Sequence, residues 1–77
     1  MTQLMPKYSI LIQYDKTDNI YVARVLELNG CMAHGKTQED AMREIKIALE
    51  MWIDELIESG EEIPEPIPFV SLQPLPT

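Results

Sequence analysis

From Gln38 to Glu58 the chain runs 21 residues without a glycine or a proline, and beyond Gly60 its character changes: Pro64, Pro66 and Pro68 alternate. The first stretch is free to form one long helix. The second cannot be helix, because each proline lacks an N–H and pushes the residue before it toward extended backbone. Thr37 supplies an N-cap hydroxyl, Glu39 and Asp40 complement the positive end of the helix dipole, and Asp40 holds the capping-box position. Ala41, Ile45, Ala48, Leu49, Trp52 and Leu56 share one face, with Met42 and Ile53 on its flank, and Gly60 is the expected C-terminal cap. A rod of this length spans about 30 Å, enough to cross a small sheet.

Upstream the periodicity switches from helical to alternating. Tyr8, Ile10, Ile12 and Tyr14 line one side of a first strand, Asp15–Asn19 is a polar turn, and Ile20–Leu26 resumes the strand pattern, which predicts a hairpin. Asn29-Gly30 marks a second turn, after which a short third strand runs from about Cys31 to His34. Phe69–Leu72 is a candidate short fourth edge strand, and Pro74–Thr77 is expected to be loose. The fold class expected is α+β: a two-layer sandwich of a three-stranded antiparallel sheet with one long helix on one face, in the order β-β-β-α-β. No element covers the other face of the sheet. Strand one offers it only Ser9, Leu11 and Gln13, whereas strand two is apolar on both sides, which points to an interface.

A chain of 77 residues has room for one domain, with a core at about residues 7–60 and an extended tail at 61–77. So small a core leaves stability marginal, and a single cysteine makes no internal disulfide, so oligomerisation is the expected supplement. No stretch approaches the apolar length of a membrane span and no basic start precedes an apolar run, so a cytoplasmic protein without membrane contact is expected. The net charge of −7 is unevenly spread. Residues 1–38 carry four basic and three acidic groups, a balance of +1, and residues 39–77 carry ten acids against Arg43 and Lys46, a balance of −8. Nucleic-acid binding needs a basic stripe to neutralise phosphates, so direct binding is not expected and a basic protein partner is.

The succession of pieces resembles the HicB-like family of antitoxins: Ile20-Tyr21-Val22-Ala23, Leu28-Asn29-Gly30-Cys31, Gly35-Lys36-Thr37, Glu39-Asp40-Ala41 and Ile63-Pro64-Glu65-Pro66, in that order over residues 8–66. The family usually has Pro at the position of Asn29 and an acid at that of Lys36. The resemblance implies a partial ribonuclease H-like fold without its catalytic centre, and a non-enzymatic antitoxin that occludes a small basic ribonuclease toxin of the HicA type. Many members add a DNA-binding module beyond this domain. None is expected within these residues, so the protein-binding part of the role is the part that the resemblance carries over. The alternative is a stand-alone structural or regulatory oligomer without a toxin.

Groupings that suggest chemistry fare poorly against simpler explanations. Cys31 and His34 have a ligand-like spacing, but a structural zinc site takes four ligands and the chain has no other Cys or His, so neither a metal nor any other cofactor is expected. The same pair lacks an orienting third group for nucleophilic catalysis, and strand alternation sends residues three apart to opposite faces. Asp15, Asp18 and Glu27 suggest a nuclease remnant, yet two lie in a turn where Asp is common for its own backbone bonds. Trp52 is expected in the core. Two features resist such explanations. Glu50, Asp54 and Glu58 form an i, i+4, i+8 ladder at the negative end of the helix dipole, where like charges destabilise the helix and a cationic partner relieves them. Ile47 and Met51 lie off the core face, four residues apart among charges, and are expected to contact another subunit of a homodimer or higher even-numbered oligomer, or a partner.

Overall fold

The computed structural model describes residues 7–69. Three strands, β1 (Ile10–Asp15), β2 (Ile20–Val25) and β3 (Met32–Gly35), are followed by one helix, α1 (Gln38–Ser59). The sheet is antiparallel in the order β1-β2-β3, with Ile12 opposite Ala23 and Ala23 opposite Ala33. The α+β sandwich expected from the sequence is the architecture found. Residues 61–68 and Phe69 are not strand, and the other three positions of the candidate fourth strand, like Pro74–Thr77, lie outside the described residues.

Turn chemistry closes the hairpin. Thr17 N–H donates to Asp15 Oδ1 at 3.0 Å, and the Tyr14 hydroxyl donates to Asn19 Oδ1 at 2.8 Å while Asn19 takes a positive φ of 55°. Tyr14 and Tyr21, paired across the two strands, meet edge to face with ring centroids 5.2 Å apart.

Both helix ends are as expected, with one change of partner. Thr37 Oγ1 accepts the Asp40 N–H at 3.0 Å, but the Asp40 carboxylate turns to Arg43 rather than back to the Thr37 backbone. At the other end Gly60 is left-handed (φ 73°), its N–H reaches the Ile57 carbonyl, and Glu61 N–H reaches Leu56, the two bonds of a Schellman cap.

The core is formed by Ala23, Val25, Leu28 and Cys31 from the sheet side and Ala41, Ile45, Leu49 and Ile53 from the helix. The helix residues are four apart throughout, so the buried line passes through Ile53, while Trp52 and Leu56 stand half-buried beside it. The cause is the seat of α1, which packs mainly on β3 and β2 and least on β1. It runs back along β3 with Gly35 against Asp40 and Ala41 at one end and Gly30 against Trp52 at the other. At Gly35 the backbones are so close that a Cβ would lie 2.5 Å from the Ala41 nitrogen.

Candidate protein-binding surface

The acidic ladder and the apolar pair occupy the side of α1 that points away from the sheet. Glu50, Asp54 and Glu58 are all exposed, and no basic residue stands in the last turn to offset them. Ile47 is 49% and Met51 65% exposed, large values for apolar side chains on a helix whose opposite side is sealed. Successive positions 47, 50, 51, 54, 55 and 58 interleave the two kinds of side chain, so the outward surface is an apolar pair bordered by carboxylates.

The pair also borders two clefts rather than one. Ile47 lines a depression of about 440 Å³ with Tyr8, Ile10, Lys46, Leu49 and Glu50, on the β1 side where the helix covers the sheet least. Met51 lines a cleft of about 490 Å³ with Met32, Ala48, Trp52, Glu55 and Leu56, between the helix and the outer edge of β3. Trp52, expected in the core, forms part of that wall.

The sheet face turned away from the helix is open. The cross-strand pairs Leu11–Arg24, Arg24–Met32, Gln13–Val22 and Val22–His34 belong to it, and Leu11, Leu26 and Met32 are exposed there. It mixes apolar, cationic and neutral side chains and carries no row of carboxylates.

The residues examined for catalysis or metal binding are not brought together. Cys31 is buried in the core, where desolvation pushes its thiol above the ordinary range, while His34 is exposed on the opposite face. Asp15 serves the hairpin turn, and Glu27 lies beyond the far end of β2. Among the described residues no group of three His, Cys, Asp or Glu is placed to hold a metal ion.

Glu27 has a different task, one that local sequence does not signal. Its carboxylate accepts the Ser9 N–H at 2.9 and 3.1 Å, the Ser9 hydroxyl at 3.0 Å and the Ile67 N–H at 2.8 Å. The Tyr8 hydroxyl donates to the Pro64 carbonyl close by. Tyr8, before the first strand, and Glu27, after the second, thereby hold the proline-rich segment after the helix. Burial alone raises the Glu27 pKa, but the hydrogen bonds from Ile67 and Ser9 outweigh it and leave the carboxyl below the ordinary glutamate range.

A family described as "HicB_like antitoxin of bacterial toxin-antitoxin system" matches residues 8–76. A UPF0150 protein of Thermoplasma acidophilum is 40% identical over 58 residues, 75% of this chain and 83% of its own length. A UPF0150 protein of Archaeoglobus fulgidus is 34% identical over 59 residues, 74% of this chain and 84% of its own, and one of Helicobacter pylori is 43% identical over 42 residues, 54% and 58% respectively. No solved structure matches the chain. No helix among the described residues is long and apolar enough to cross a membrane.

Proposed function

The chain belongs to the HicB-like antitoxin family, and from that premise we propose that it binds a small basic ribonuclease toxin of the HicA type and occludes it, doing no chemistry of its own. Family membership itself suggests a toxin–antitoxin role, and so a toxin partner and a non-enzymatic part. The identity of the toxin and the surface that meets it are the steps added here.

The observation that carries the proposal is the outward side of α1. Glu50, Asp54 and Glu58 stand exposed at the negative end of a helix dipole with no basic residue in the last turn. Each close pair of like charges costs a few tenths of a kcal/mol, and the dipole adds a similar penalty. A cationic protein surface removes both penalties, and Ile47 and Met51 give it apolar area to bury between the charges. Such an arrangement suits steering by charge followed by a short apolar contact.

The experiment uses a small basic protein of the HicA type, taken from the reading frame beside this chain's where one is encoded there. Its cleavage of RNA is followed while the full chain is titrated in. Stoichiometric loss of cleavage supports occlusion, and undiminished cleavage at excess chain sets the proposal aside.

A second reading, a HicB-like oligomer that acts without a toxin, is favoured by the open sheet face and by a buried core that comprises eight of the described residues. In that case the chain self-associates and the cleavage assay is silent.

A further inference from the structure

We propose that two copies of this chain join edge to edge through β3, running antiparallel about a two-fold axis, so that the three-stranded sheets become one of six strands. This extends only the self-association part of the reading above and does not depend on a toxin.

The backbone directions follow from the ladder. Leu26 N–H bonds to the Ser9 carbonyl and Val25 N–H to the Cys31 carbonyl, each at 3.0 Å. Counting back by twos in the observed register, Ala23 and Val25 turn their backbone groups toward β3, and Val22 and Arg24 turn theirs toward β1. On β3, therefore, Ala33 and Gly35 bond inward to β2, and Met32 and His34 aim both N–H and C=O outward. β3 is the last strand of the sheet, and no described segment pairs with that edge. An uncovered edge of this kind invites another strand.

The edge matches itself when reversed. At its Gly30 end, Glu55 stands with Met51, Met32 and Trp52 around the apolar cleft. At its Gly35 end stand Lys36 and Arg43, with Asp40 and Glu44. Arg43 is tied to Asp40, and among the described residues Lys36 makes no ion pair. A two-fold axis sets the Gly30 end of one copy against the Gly35 end of the other, so Glu55 meets Lys36 twice. Met32 of one copy then lies opposite His34 of the other, and Ala33, on the helix side, is small enough for the two chains to approach at the axis. The helices lie on the same side of the joined sheet, and Met51, 65% exposed in the single chain, is covered by the second copy.

The test is the mass of the full chain by light scattering over a dilution series, with variants. His34→Pro removes an outward N–H that β2 does not use and is expected to weaken association about tenfold or more while far-ultraviolet circular dichroism is unchanged. Glu55→Lys and Lys36→Glu are each expected to weaken it about fivefold, and the double variant to restore it to within about twofold of wild type. A wild-type chain that is monomeric throughout overturns both this proposal and the self-association reading. A wild-type dimer that His34→Pro and the charge reversals leave unchanged overturns the β3 edge alone. If His34→Pro unfolds the chain, the charge-swap cycle decides: rescue supports the edge and absence of rescue refutes it.

Discussion

The carboxylate of Glu27 accepts the backbone N–H of Ile67 at 2.8 Å across 40 residues of chain, and the same carboxylate holds both the N–H and the hydroxyl of Ser9. One side chain thus joins the loop after β2, the segment that enters β1 and the segment that leaves the helix. Without it the proline-rich tail has only the Tyr8–Pro64 bond among the described hydrogen bonds to this part of the fold. The Glu27 clasp is the feature that turns an extended, helix-incompatible segment into part of the domain.

Glu27→Ala is expected to lower stability by about 2 kcal/mol, since it removes an ionised acceptor shared by several donors. Its pH dependence has a definite sign. The folded carboxyl is held below the ordinary glutamate range, so its contribution is present above that range and is lost as pH falls through the lowered value. Thermal unfolding between pH 7 and pH 3 should show wild type and Glu27→Gln converging toward the acid end. Equal separation at all pH values contradicts the assignment.

The clasp should also weaken in alkali. Burial first, and then the charges of Glu27 and Glu65, push the Tyr8 hydroxyl above the ordinary tyrosine range. A raised folded value means that the contribution is complete below the ordinary range and disappears as pH rises through the raised one. Tyr8→Phe is expected to remove this alkaline loss, measured as the midpoint of unfolding from pH 8 to pH 11.

Core and surface isoleucines on one helix should separate cleanly. Ile45 is fully buried, and Ile45→Ala is expected to cost about 2–5 kcal/mol, whereas Ile47→Ala should change the unfolding free energy of the single chain by about 0.5 kcal/mol or less. Gly35→Ala should be as damaging as the core change, because its Cβ would meet the helix backbone and not a movable side chain. Urea denaturation of the three variants ranks them directly.

What the sequence made legible follows from which interactions are local. The Thr37 and Gly60 caps, the Asp15–Asn19 turn and the strand alternation are decided within a few residues, and they were read correctly. The buried line of the helix shifted toward Ile53 because it depends on how far α1 sits toward β3, a tertiary quantity. Trp52 joined a cleft wall for the same reason. The exposure of Ile47, Met51 and the Glu50, Asp54, Glu58 ladder was legible from helical spacing alone. Glu27 was not: a glutamate after a strand has no local mark of a bond made 40 residues away.

Among the described residues the positive groups do not form a stripe that could neutralise phosphates: Lys36 and Arg43 share a depression with Asp40 and Glu44, and Arg24 shares one with Asp15. The purified chain is therefore expected to bind its own promoter no better than unrelated DNA. A gel shift that persists at high salt and depends on sequence contradicts this.

The central claim is that the acidic outer side of α1 receives a basic toxin, and the association rate between the two proteins tests it most directly. The rate should fall at least about tenfold as salt rises from 0.05 to 0.5 M, because screening shortens the reach of exposed charges. The triple variant Glu50→Gln, Asp54→Asn, Glu58→Gln should associate slowly at low salt and lose most of the salt dependence. A wild-type rate that is flat with salt, or a triple variant that associates as fast as wild type, would contradict the account.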